Sequence, residues 1–175
     1  ADGYVTSQNY IGSISSTDSS VGLSGLQDRS TQRYSGTPYW EAVVGGDGCY
    51  NIINPKNDKI QYAAYQYLNI LKSVDKGHNF YYSLYTPTDP FENDPAAFLA
   101  PYVFCPSNTN VLYAGADSLL NSPNAGNRWY QVGKTPVDSG KMILSIAVSH
   151  TSTDTVYFST APEQNRSMQM LRSTD

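Results

Sequence analysis

The chain has 175 residues, of which 39% are hydrophobic, 13% aromatic and 15% charged, with 11 Lys+Arg against 15 Asp+Glu. A net charge of -4 and a pI near 5.0 provide no basic field for a phosphate backbone, which argues against nucleic acid as a partner. The apolar runs are only a few residues long, too short for a membrane span, and the composition is not that of a charge-rich disordered chain.

Fifteen tyrosines, 13 glycines and 10 prolines spread along the chain are the composition of short strands and many turns. No basic start with an apolar core precedes Ala1-Asp2-Gly3, so an export signal is expected to have been removed or never to have belonged here. The first recognisable unit runs from Ile14 to Ser24, and stronger copies follow at 53–63, 104–114 and 148–158. Their equivalent residues Leu23, Tyr62, Tyr113 and Tyr157 lie 39, 51 and 44 positions apart. Each copy reads as an apolar strand, a polar turn rich in Asn, Asp, Ser and Pro, and a second apolar strand.

A third strand and a second recurrent element come next. Ser73-Val74-Asp75-Lys76-Gly77-His78-Asn79-Phe80 has the pattern S-x-D-x-G-x-x-aromatic. Ser122-Pro123-Asn124-Ala125-Gly126-Asn127-Arg128-Trp129 repeats it with Asn for Asp, and Ser173-Thr174-Asp175 begins a third copy. The chemistry is that of a tight hairpin: Asp75 or Asn124 accepts from the following amides, Gly77 or Gly126 supplies positive φ, and Phe80 or Trp129 packs back on the sheet.

Four antiparallel strands per 40 to 50 residues in series is the spacing of β-propeller blades, so the fold expected is all-β, a partial propeller over 1–175. The blades fall at about 10–46, 47–98, 99–140 and an incomplete 141–175, some three and three-quarter blades. A torn last blade leaves an unpaired edge, so the chain reads as a fragment of a ring of roughly six to eight blades.

The hairpin turns resemble the Asp-box, or BNR, repeats of sialidase-like, sortilin-like and xyloglucanase-like propellers. Gly25-Leu26-Gln27-Asp28 and Trp40-Glu41-Ala42-Val43-Val44-Gly45-Gly46-Asp47-Gly48 are similar to runs in successive blades of secreted bacterial members of that group. The resemblance extends from about Tyr4 to Asp175. It implies a secreted or cell-surface protein whose Asp-box residues Ser73, Asp75, Gly77, Phe80, Ser122, Asn124, Gly126 and Trp129 are structural, since those turns lie at the blade periphery, away from the central channel.

Ligand-binding candidates are therefore sought in the loops leading to the inner strands. Asp47, between glycines that permit close backbone approach, is one, and Gln27 and Asp28 after the second strand are others. The competing reading of all three is turn capping. No catalytic set assembles: Arg29, Arg33, Arg128, Arg166 and Arg172 share no repeat position, and His78 and His150 read as solvated turn residues. Gly45-Gly46-Asp47-Gly48 lacks the Lys-Ser/Thr of a phosphate loop. Asp89, Glu92 and Asp94 match no standard calcium loop and read as a solvated insertion, so neither metal nor cofactor is expected. Cys49 and Cys105 stand about 16 Å apart in repeat register, too far for a disulfide, and are expected as buried thiols. Tyr62, Tyr113 and Tyr157 read as packing between blades, and the same is expected of Tyr65, Tyr67, Tyr81, Tyr82 and Tyr85, although dense tyrosines also suit carbohydrate or protein surfaces.

The function expected is an extracellular binding or scaffold module for carbohydrate or protein. A glycoside hydrolase of the sialidase-like or xyloglucanase-like kind and a subunit of a self-assembled polymer are the alternatives. Partners are the remainder of the propeller or another chain pairing with the open blade edges, and a glycan or protein ligand.

Overall fold

The computed structural model describes residues 6–84, 95–133, 136–162 and 167–174. The fold is all-β and built of antiparallel sheets in simple meander order, the blades of a β-propeller. The first sheet contains β1 (Asn9–Ile14), β2 (Gly22–Leu26), β3 (Thr31–Tyr34) and β4 (Trp40–Val44). The second contains β5 (Asn51–Ile53), β6 (Gln61–Tyr65), β7 (Asn69–Ser73) and β8 (Tyr81–Leu84). The third contains β9 (Tyr102–Phe104), β10 (Leu112–Gly115), β11 (Leu119–Ser122) and β12 (Tyr130–Gln131). Among the described residues the fourth has three strands, β13 (Ile143–Val148), β14 (Val156–Thr160) and β15 (Met170–Ser173). A 3-10 turn, Val137–Ser139, precedes β13.

The repeats seen in the sequence correspond to one recurrent hairpin. Its loop is closed by the same main-chain bond in every sheet: Ser15 N to Val21 O (2.9 Å), Asn54 N to Ile60 O (2.9 Å), Cys105 N to Val111 O (2.8 Å) and Ser149 N to Thr155 O (2.9 Å). The residue at the loop's first position also accepts from an amide two residues on: Thr17 N donates to Ser15 Oγ, Lys56 N to Asn54 Oδ1 and Thr151 N to Ser149 Oγ. In the third sheet Cys105 holds this place, with its sulfur 3.1 Å from Ser107 Oγ. Short polar side chains at a turn start stabilise it locally, which is why Asn, Ser and a small thiol interchange there.

The chain separates into two compact units, Ala1–Tyr65 with Ser73–Phe80, and Gln66–Lys72 with Tyr81–Asp175. In the first, Val21, Leu23 and Ile53 form a buried cluster against which Val43 and Phe80 pack. In the second, Tyr113, Leu119, Val137, Ile143, Val156 and Phe158 form a larger one. Both combine one face of a sheet with the facing side of the next, the way layered sheets bury their alternating apolar residues.

The tyrosines occupy two environments. Tyr62 and Tyr113 are buried, but Tyr157, at the equivalent position, is 43% exposed. Tyr113 is covered because its hydroxyl reaches Thr153 O at 2.9 Å on the following sheet, whereas Tyr157 has the Arg172 guanidinium 5.8 Å over its ring. Tyr67, Tyr81 and Tyr82 are exposed too, which corrects the expectation that they pack in the core. Tyr81 and Tyr82 lie on the outermost strand β8, where fewer neighbours are available, and Tyr67 occupies a left-handed turn position with its ring edge-on to Phe98 at 5.7 Å. Tyr85 lies outside the described residues.

Candidate functional site

The two glycine-containing runs of the first blade meet. Gly25 in β2 and Gly48 before β5 face each other so closely that neither has space for a side chain. A methyl on Gly25 would fall 2.5 Å from Gly48 O and nearer still to Cys49 O, and one on Gly48 would fall 2.7 Å from Gly25 Cα. Main-chain bonds from Gly48 N to Leu26 O and from Ser30 N to Gly46 O, both 3.0 Å, complete the junction. The chain then turns sharply through Asp28 (φ 55°) and Ser30 (φ 66°), positions in the left-handed region that non-glycine residues adopt only at a cost.

Asp47 stabilises that turn. It is buried, and its Oδ1 accepts from Asp28 N at 3.0 Å. The other two candidates stand outward: Asp28 is exposed beside Arg29, Gln27 is half-buried, and the Gln27 amide donates to Gln8 O at 2.9 Å. Burial, followed by the Asp47 charge, pushes the Cys49 thiol up to about 12. Burial, then Asp47, Asp28 and Cys49, also raises the Tyr10 hydroxyl above its usual value. A cavity of about 380 Å³ opens beside the turn, lined by Ser7, Ser24, Leu26, Arg29, Gln32 and Trp40.

The Ser73–Phe80 turn is organised by its own side chains. Asp75 Oδ1 accepts from His78 N (3.1 Å), Asn79 N (2.9 Å) and Ser73 Oγ (2.7 Å), and Oδ2 accepts from Asn79 Nδ2 (2.7 Å). Ser73 Oγ in turn accepts from Gly77 N at 2.9 Å, with Gly77 at φ 78°. The hydrogen bonds from Asn79, then Ser73, hold the Asp75 carboxyl well below the usual carboxylate range. In Ser122–Trp129, Asn124 Oδ1 accepts from Arg128 N (2.9 Å) and Ser122 Oγ (3.1 Å), while Ser122 Oγ accepts from Gly126 N (2.9 Å). Trp129 is buried, and Phe80 is half-buried.

A cation on the preceding blade holds each turn, a contact that sequence reasoning missed. Arg33 Nε donates to Lys76 O (2.9 Å), Nη1 pairs with Glu41 (2.9 Å), and Nη2 lies 2.8 Å from His78 Nε2. His78 is thus an exposed turn residue tied to Arg33 rather than simply solvated. Lys72 Nζ donates in the same way to Ala125 O (2.7 Å). Lys76 bridges Asp18 and Asp58, each at 3.2 Å. The signal is in the spacing, because Arg33 and Lys72 both sit on the third strand of their blade, one arginine and one lysine sharing a packing role.

Cys49 and Cys105 are both buried reduced thiols. His150, Arg29, Arg128 and Arg172 are exposed, and Arg166, Asp89, Glu92, Asp94 and Asp175 lie outside the described residues. Among the described residues no three His, Cys, Asp or Glu side chains group as a metal site, and no helix is long and apolar enough to cross a membrane. A second cavity, of about 470 Å³, lies against Leu119, Val137, Phe158 and Leu171. At its edge Asp138 pairs with the buried Lys141 (3.1 Å) and accepts from Thr160 Oγ1 (2.7 Å), so its charge is compensated internally.

Compared by sequence, the chain matches no protein-family profile and no curated protein. By structure it is similar to the GH74 enzyme of Niastella koreensis, with a TM-score of 0.69 and 20% identity over 98% of this chain and 29% of that one. It is also similar to the GH74 xyloglucanase of Xanthomonas campestris (TM-score 0.69, 17% identity, 94% of this chain, 28% of that one). YCF48 from Cyanidioschyzon merolae aligns with a TM-score of 0.59 and 14% identity over 97% of this chain and 56% of that one. These likenesses establish the β-propeller fold, and the chain spans under a third of the two GH74 enzymes.

Proposed function

We propose that this chain is part of an extracellular β-propeller acting as a binding or scaffold module, and that it takes a carbohydrate or protein ligand at the Gln27–Arg29 rim of its first blade. The supporting observation is the glycine junction. With Gly25 and Gly48 in contact and Asp47 spent on the Asp28 amide, the turn is held in one strained shape while Asp28 and Arg29 remain exposed. A rigid loop that presents an acceptor, a cationic fork and an amide side by side suits polar recognition at low ordering cost. The turns at 73–80 and 122–129 belong to the scaffold, in the manner of Asp-box repeats. Binding of the whole chain to a panel of immobilised glycans, with Asp28→Ala and Gln27→Ala beside it, tests the reading. Loss of binding at an unchanged melting temperature supports it, and equal retention by wild type and both variants refutes the rim.

Hydrolysis is favoured by a different observation, the GH74 enzymes among the structural neighbours. It needs two carboxyl groups ~5 to 9.5 Å apart across the scissile bond. Asp28 is an exposed carboxylate able to supply one. Reducing ends released from xyloglucan by the wild type, and not by Asp28→Asn, would replace the binding reading with this one.

A further inference from the structure

We infer that the Arg33–His78 contact is a pH-sensitive latch: it closes only on a neutral His78 ring, and protonation of that ring releases part of the hold that the first blade has on the Ser73–Phe80 turn. The inference is independent of any ligand at the Gln27–Arg29 rim. All of its residues lie in one compact unit, Ala1–Tyr65 with Ser73–Phe80.

The geometry fixes the roles. Arg33 Nη2 lies 2.8 Å from His78 Nε2, and a guanidinium has only N–H donors, so Nε2 is the acceptor. A ring that accepts at Nε2 is neutral and carries its hydrogen on Nδ1. The other Arg33 donors are engaged at the same time, Nε on Lys76 O and Nη1 on Glu41, both at 2.9 Å. Its stem is fixed as well: a methyl on Gly77 would fall 3.2 Å from Arg33 Cδ, and the Arg33 side chain is only 11% exposed.

The turn at 122–129 repeats the arrangement with a group that cannot titrate. Asn127 follows Gly126 as His78 follows Gly77. Lys72 Nζ donates to Ala125 O at 2.7 Å and to Asn127 Oδ1 at 3.2 Å, as Arg33 donates to Lys76 O and to His78 Nε2. The position after the glycine is therefore an acceptor for the third-strand cation in both turns, and in the earlier one that acceptor is an imidazole.

Protonation places a hydrogen on Nε2, against the guanidinium, and a positive charge beside Arg33 and Lys76. The carboxylates around the turn already serve other donors: Glu41 pairs with Arg33, Asp18 and Asp58 pair with Lys76, and Asp75 accepts from Ser73, His78 N and Asn79. Lys59 meets the turn through its carbonyl, which accepts from Lys76 N at 3.2 Å. The protonated ring therefore exchanges a charge-assisted bond for water. The unfolded chain takes up the same proton without breaking a contact, so the stabilisation is present with the ring neutral and is lost as pH falls through the imidazole range. The same turn delivers Phe80 to the cluster of Val21, Leu23 and Ile53, so the latch bears on the packing of this unit.

Imidazole nitrogen shifts measured by NMR at about pH 8, where an imidazole is neutral, test the contact in the wild type. The other histidine, His150, is exposed and makes no ring hydrogen bond among the described residues, which makes it the internal comparison. The expected result is the Nδ1–H form for His78 and the tautomer mixture of a solvated ring for His150. Urea unfolding between about pH 7.5 and 5.5, the range in which an imidazole ordinarily protonates, then reads the latch. Relative to His78→Gln, which keeps a neutral acceptor, the wild-type unfolding constant should rise about threefold to tenfold over that range, the loss of one exposed charge-assisted bond. In an Arg33→Met background, His78 and its Gln replacement should show the same pH dependence. An Nε2–H ring at His78, or a wild type and His78→Gln that lose stability in parallel, would overturn the inference. The wild-type tautomer decides it even where the Arg33 variant does not fold.

Discussion

Replacing Gly25 by Ala tests whether the glycine-containing runs are an interlock. The added carbon would lie 2.5 Å from Gly48 O and 2.8 Å from Gly48 C, both main-chain atoms. Ordinary contact begins near 3.4 Å, so the two backbones must separate by about 1 Å, a shift set by the still nearer Cys49 O, or the strand must bend. That movement would strain the 3.0 Å bonds from Gly48 N to Leu26 O and from Asp28 N to Asp47 Oδ1 together. Overpacking of this kind costs about 2 kcal/mol or more, roughly 4 to 8 °C in Tm for a chain of this size. Gly45→Ala is the control, because nothing lies within 4 Å of a methyl placed there, and it should melt within about 1 °C or 2 °C of wild type. Thermal unfolding followed by circular dichroism reads both. If Gly25→Ala melts with the wild type, or if Gly45→Ala falls as far, the close approach is not what those glycines are for.

Other outcomes follow from the electrostatics and the burial. The Ser20 hydroxyl and amide, and then Lys76, bring the Asp18 carboxyl down to about 2, so its stabilisation is present above the ordinary carboxylate value near 4 and is lost as pH falls toward 2. Asp18→Asn should flatten the acid limb of stability in that window, measured by urea unfolding at stepped pH. Asp75 has the same sign at lower pH, so Asp75→Ala should lower Tm at neutral pH, whereas Asn124→Asp should be nearly neutral because it supplies the same oxygen. Cys49 and Cys105 should resist a thiol reagent at pH 8 in the native protein and both react once urea unfolds it; prompt labelling of Cys49 would contradict its burial. Lys141→Met should cost about 3 to 5 kcal/mol by leaving Asp138 charged and without its cation.

The repeat was legible in the sequence because everything that makes a blade is local. Alternation of apolar residues, a polar turn closed by a Ser, Asn or Cys, and the S-x-D-x-G hairpin each depend on residues within about ten positions of one another. Asp75 and Asn124 could therefore be read as turn acceptors before any coordinates. Relations between blades were not legible, since they depend on how one repeat is rotated against the next. Only the tertiary structure put Gly25 against Gly48, used Asp47 on the Asp28 amide, laid Arg33 and Lys72 on the carbonyls of the following turns, and covered Tyr113 while leaving Tyr157 open. A tyrosine and an arginine carry no sign in one repeat of whether a neighbouring sheet will lie over them. That is settled by burial across the gap between blades, where the partner atoms come from 40 to 53 positions along the chain.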